Sequence, residues 1–271
     1  MSAHLNWAST ALSQRDADEI LIVDAETREL RLTLERQFAQ RGFVQFQLPY
    51  RELSGGELDN FIDNWHDAFG LPEGARPEQP HDRLLIRYRD DGATLLEETR
   101  AERGLGDISA TVGYALKNTE RFASRVAVSI ELPSGEDRWF LSNDAIDVTA
   151  LIAAENRFAE RWSVYGQAAV TWIGEGEALA SRQNDFVWSA HGALAWQATR
   201  SIELVAQVDA HSAVFDDSDL EFFQEAVVLT LGGNIALSPN WSLQLGVSED
   251  IAVEQSPDVV FAVGVTRGAR L

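Results

Sequence analysis

No cysteine occurs anywhere in the 271 residues, so neither a disulfide framework nor a thiolate metal site is available to the fold. Basic residues are scarce: 22 Lys and Arg stand against 43 Asp and Glu, for a formal net charge of -21. Such a surface repels phosphate backbones, and no basic stripe interrupts it, which excludes nucleic acid as a partner. Long apolar runs are also missing. A membrane helix needs about 18 to 20 consecutive apolar residues, and no segment reaches that length. The start, "MSAHLNWAST", has no basic segment, apolar core or small-residue cleavage site. An envelope protein with this start is expected to be a mature chain whose signal peptide has been removed.

What is present is alternation. In "GDISATVGYAL", Ile108, Ala110, Val112, Tyr114 and Leu116 share one face of a strand, and Ser109, Thr111, Gly113 and Ala115 share the other. Segments of this kind recur near 4–13, 19–37, 42–53, 105–116, 122–133, 145–157, 162–172, 185–197, 201–212, 225–237, 241–250 and 258–268. Their length suits tilted strands that cross a bilayer, and about twelve of them is an even number, as a closed barrel with both chain ends on one side requires.

The connections sort by parity. Those near 39–41, 117–121, 158–161, 198–200 and 238–240 are short, and those near 54–104, 134–144, 173–184, 213–224 and 251–257 are long. Strict alternation of short and long matches the periplasmic turns and extracellular loops of an outer-membrane barrel. Aromatics give a second signal, because Trp and Tyr gather at the two water interfaces of a bilayer. On the apolar faces, Tyr114, Phe122, Trp162, Trp196 and Trp241 adjoin short turns, while Trp172, Phe186 and Trp188 adjoin a long loop. The opposite faces are small or uncharged, as at Ser163, Gln167, Ala169 and Thr171, or Ser189, Ala193 and Ala195. The fold class expected is therefore all-β: one antiparallel transmembrane β-barrel domain over 1–271, of about twelve strands, in the bacterial outer membrane.

Residues 54–104 are too long for an ordinary loop. "SGGELDNFIDNWHDAFG" places Leu58, Phe61, Ile62, Trp65 and Phe69 at helical spacing, with His66 off that stripe. Ser54 and Glu57 have the spacing of a capping box, and Gly70 is positioned to end the helix. A proline-rich stretch follows, then a hairpin about Asp91-Gly92. The expectation is an extracellular helix-plus-hairpin insertion that lies in the interface, caps the pore or plugs it.

Together, "FIDNWHDAFGLPEGAR", "GLGD", "DAH", "LTLGGNIALSPNW" and "SEDIAVEQSPDVVF" resemble a family of uncharacterised proteobacterial outer-membrane proteins catalogued as domain of unknown function 3187. The resemblance spans nearly the whole chain. It implies an outer-membrane β-barrel; it implies no catalytic residues and no cofactor.

Candidate lumen residues follow from the alternation: Arg31, Glu35, Arg125, Glu131, Asp147, Gln167, His191, Glu203, Gln207, Asp209, His211 and Asp250. In a pore, their acidic excess would favour cations. His191, His211 and Asp209 share a face of neighbouring strands, a pattern that suits a hydrogen-bonded network better than a metal site, so no metal is expected. A lipid-modifying hydrolase would need a Ser nucleophile and a His base on the lipid face, and no Gly-x-Ser-x-Gly elbow is present. The reading favoured is a narrow channel or facilitator for small solutes, whose partners are outer-membrane lipid and a small-molecule solute. The alternatives are an occluded structural or interaction barrel and, further off, the enzyme. Oligomeric state stays open.

Overall fold

In the computed structural model, residues 1–59, 61, 62, 64, 80–176, 178–250 and 256–268 are described. Among the described residues, fifteen strands form one antiparallel sheet: β1 (Ser2–Asp16), β2 (Glu19–Phe38), β3 (Gly42–Ser54), β4 (Leu85–Asp90), β5 (Ala93–Glu98), β6 (Glu102–Leu105), β7 (Ile108–Asn118), β8 (Phe122–Leu132), β9 (Asp147–Asn156), β10 (Trp162–Trp172), β11 (Phe186–Gln197), β12 (Ile202–His211), β13 (Ala226–Ser238), β14 (Trp241–Asp250) and β15 (Val259–Arg267). The first and last strands pair from Ser2↔Thr266 to Ser9↔Val259, which closes the ring. Strands β4, β5 and β6 lie off the ring, so twelve of the fifteen form the barrel. Closure leaves no unpaired edge for hydrocarbon to meet.

Alternation now has a physical reading. Leu30, Leu32, Leu34, Phe46, Val112, Val128, Ile152, Val170, Leu204, Leu231 and Val263 all stand exposed on the outside, each between 40% and 57%. A water-soluble monomer does not leave so continuous an apolar belt open. Lipid covers it, and the barrel belongs in the bacterial outer membrane. Tyr114, Trp162, Trp172, Phe186, Trp188, Trp196 and Trp241 stand out from the same wall. Trp162 and Trp196 face each other across β10 and β11, with stacked rings 6.1 Å apart. Phe122 lies under the Lys117 ammonium, 5.2 Å from the ring centroid.

One connection breaks the parity of the loops. β1 and β2 join at the outer end through two residues only, Asp16 pairing with Glu19. Instead of a long loop, the strands themselves rise above the ring, and β2 pairs there with β4 over Ile20↔Arg89 to Asp24↔Leu85. The insertion therefore continues the wall upward. Its hairpin turns at Asp91 and Gly92, whose φ values of 45° and 74° are those of a two-residue type I′ turn. β6 pairs with the top of β3 and leads into β7.

Of the helix expected over 57–69, Asp59, Phe61, Ile62 and Asn64 have helical backbone, and Trp65, His66 and Phe69 lie outside the described residues. The capping residue is not Ser54, which still belongs to β3. Glu26 takes that role from the neighbouring strand: its Oε1 accepts the Glu57 and Leu58 amides at 2.9 and 2.5 Å, and its Oε2 accepts Trp7 Nε1 at 2.6 Å. A carboxylate only 1% exposed meets three donors at once, which compensates its burial. Gly56 makes this possible, since a Cβ there would lie 2.4 Å from the Glu26 carboxyl. Phe61 packs edge-on against Phe261 of β15, centroids 5.7 Å apart.

Candidate functional site

Three regions stacked along the barrel axis define the candidate solute path: an outer cap, an outer cavity and an inner cavity. The cap has its own apolar core. Leu12 of β1, Leu21 and Val23 of β2, Leu53 of β3, and Ile86 and Tyr88 of β4 are buried with Leu220 and Phe223 of the loop 213–224. Those β2 side chains occupy the face that, lower down, carries Glu29 and Arg31 into the lumen. The loops 134–144, 173–184 and 213–224 arrive from other sides of the ring and meet this overhang. Trp139, Phe140, Leu179 and Phe215 pack against it, so the roof spans the mouth.

Charged groups fasten the roof. Arg182 Nη1 donates to Glu19 Oε1 at 3.2 Å, to Tyr88 Oη at 2.8 Å and to the Asp217 carbonyl at 2.7 Å, while its Nη2 pairs with Asp90. Tyr88 Oη donates to Glu19, whose other oxygen accepts Ser218 Oγ and the Asp219 amide, each at 3.2 Å. One guanidinium thus joins the β1–β2 tip, the β4–β5 hairpin and two loops. Burial, then the hydrogen bond and charge of Glu19, hold the Tyr88 phenol well above its ordinary range.

Asp107, the last residue of "GLGD", anchors another side of the mouth. Only 2% exposed, it accepts the Ser134, Gly135 and Asn143 amides and Ser142 Oγ, at 2.8, 2.9, 3.2 and 2.9 Å. A Cβ on Gly104 would meet Glu136 at 2.5 Å, so the loop 134–144 can close over this motif only because it is small. Asp147 accepts the Gly174 amide at 2.9 Å and Asn143 Nδ2 at 3.0 Å, tying the base of the loop 173–184.

Below the roof, a polar cavity of about 490 Å³ is lined by Arg31, Gln47, Arg51, Glu131, Asp147 and Thr171, among others. Arg31 and Arg51 both pair with Glu29, at 2.5 and 3.1 Å. A second cavity of about 600 Å³ lies toward the short turns and is lined by Glu35, Lys117, Glu155, Tyr165, His191 and Gln207, among others. Phe43, Arg125 and Gln167 belong to both. A third volume, of about 480 Å³, adjoins the second through Tyr165, Ala193 and Gln207 and reaches His4 and Asn234.

The residues singled out from sequence fall into this geometry as follows. Asp209 pairs with His191 directly across β11 and β12 and accepts Gln207 Nε2 at 2.8 Å. Glu203 accepts Asn234 Nδ2 at 2.8 Å. His211 turns to the Ser212 carbonyl, 2.9 Å from Nδ1, and takes no part in the His191 network. Arg125 sits 3.8 Å from Glu35. Asp250 ends β14, and its side chain lies outside the described residues. Among the described residues, no three His, Asp or Glu side chains come together as a metal site. Reading the strands alone overlooked Glu29, Phe43, Arg51 and Tyr165. Phe43 carried a usable signal, being bulky and apolar in an otherwise polar inward set with Gln45 and Gln47.

Comparison with known proteins follows the fold. The crystal structure of the COG4313 outer membrane channel from Pseudomonas putida F1 is 16% identical with a TM-score of 0.66, and the match covers 98% of this chain and 93% of that one. A NanC porin structure matches at 8% identity and TM-score 0.55, over 99% and 100% of the two chains. The KdgM porin matches at 8% identity and TM-score 0.52, over all of both. At these identities the likeness is one of fold. No functionally curated protein matches the chain. The family model described as "Protein of unknown function (DUF3187)" matches residues 1–268, and the chain belongs to that family.

Proposed function

We propose that the barrel is a narrow channel for small solutes. The observation that carries this reading is the polar interior: two cavities of about 490 and 600 Å³ lie in series inside a wall whose outside is apolar. Three barrels of like fold are described as a channel and as porins, which agrees with the reading and identifies no solute. The inner wall carries Glu29, Glu35, Glu131, Asp147, Glu155, Glu203 and Asp209 against Arg31, Arg51, Lys117 and Arg125. Much of the chain's net charge of -21 therefore sits in loops, and the cation preference expected is weak rather than strong.

A second reading, a structural barrel with an occluded lumen, is favoured by the apolar roof over the mouth. Conductance across a planar bilayer separates the two, using refolded protein whose heat-modifiable gel shift shows it is folded, beside a variant lacking 57–100. Current through the full-length protein supports the channel. Current through the deletion variant alone makes the insertion a gate. Silence from both overturns the channel and leaves the occluded barrel.

A further inference from the structure

The outer and inner cavities share three lining residues, Phe43, Arg125 and Gln167, and meet there. Phe43 is only 8% exposed and lies flat on the wall, because Gly113 behind it has no side chain: a Cβ would fall 2.2 Å from the ring. Over that ring stands the Arg125 guanidinium, 5.4 Å from its centroid. The ring holds that guanidinium where the two cavities meet. The Arg125 side chain is 47% exposed, and its ion-pair partner is Glu35, with N···O at 3.8 Å. That separation is ion pairing without a hydrogen bond. Several lumen charges are held more closely: Glu29 by Arg31 and Arg51, Asp209 by His191 and Gln207, Glu203 by Asn234. A loosely held pair where the two cavities meet is where a single charge change alters the field along the path most directly.

We propose that Phe43, Arg125 and Gln167 form the constriction of the solute path, and that the Arg125–Glu35 pair sets its ion selectivity. The proposal rests on the channel reading. With both charges present the section is nearly neutral and passes small ions of either sign, biased only by the acidic wall on each side. Removing Arg125 leaves Glu35 alone and makes the constriction cation-selective. Removing Glu35 leaves Arg125 alone and makes it anion-selective. One unit charge about 6 Å from a water-filled path changes the local concentration of an ion by roughly threefold.

The test is the reversal potential of refolded, heat-modifiable protein in a potassium chloride gradient, read as the ratio of potassium to chloride permeability. Arg125→Gln should raise that ratio roughly tenfold, because potassium rises about threefold where chloride falls about threefold, and Glu35→Gln should lower it by a similar factor. The double variant should return near wild type, and Arg125→Lys should keep the wild-type ratio while changing conductance. Glu160→Gln, in the short turn between β9 and β10, makes the same charge change away from the lumen and should shift nothing. Opposite shifts from the two single variants support the proposal. Shifts of the same sign, or currents with one selectivity throughout, overturn it while the channel stands. Silence from every folded protein overturns the channel and the proposal together.

Discussion

Replacing Arg182 by Ala should loosen the roof without unfolding the barrel. The side chain holds Glu19, Asp90, Tyr88 Oη and the Asp217 carbonyl together, and it is 19% exposed, with Glu19 at 12% and Asp90 at 25%. A fully buried pair that loses one partner costs about 3 to 5 kcal/mol, and an exposed pair costs about 1 kcal/mol or less. Partial exposure places this cluster between the two, so the closed roof should lose about 2 kcal/mol, which raises its opening constant roughly 30-fold. Hydrogen exchange reads this directly. The Asn184 and Asp216 amides, bonded across the two loops to Val214 and Arg182 carbonyls at 2.9 and 2.6 Å, report the closed state. Their exchange should accelerate by about that factor. The β7–β12 amides and the gel shift should stay unchanged. Arg182→Lys keeps the charge and loses the planar fork, so it should fall between. Unchanged exchange in 213–224 with Arg182→Ala would show that the apolar core alone holds the roof, and would refute the reasoning.

Glu26→Ala should free the segment that begins at Gly55, because three donors lose their acceptor at a site 1% exposed. The local cost is about 2 to 4 kcal/mol, read as faster proteolysis between 55 and 64 in otherwise folded protein. Alkaline pH should weaken the roof through Tyr88. Its folded pKa is raised by burial and by Glu19, so the folded form holds the proton more tightly. The associated stability is complete below about pH 10, the unfolded value, and is lost as pH climbs toward the folded one. Tyr88→Phe should remove that pH dependence of hydrogen exchange in the roof. Persistence of the same alkaline slope in the variant would assign it to another group.

The barrel was legible in sequence because its cause is local. A strand's period of two records which side meets lipid, so the belt from Leu30 to Leu34 or the run from Ile108 to Leu116 announces itself without knowledge of any partner strand. Loop lengths and aromatic positions carried the expectations about direction and interfaces. The roof was not legible for the same reason. Leu12, Leu21 and Val23 alternate as barrel residues do, and nothing local states that at their height the inward face meets an apolar core instead of water. The strand β4 that covers them is separated from β2 by a long insertion, and its pairing at Ile20 to Asp24 is a long-range choice.

Chain length, alternation and turn spacing by themselves determined a closed antiparallel barrel of about twelve strands with an apolar outside, because each depends on neighbours two to ten residues away. Tertiary structure alone decided how the mouth is covered and which charges meet inside the ring. Arg182 meets Glu19 across 163 residues and Asp90 across 92, and Arg125 meets Glu35 and the Phe43 ring only once the sheet has curled. Such meetings depend on the curvature and register of the whole ring, which no single strand encodes.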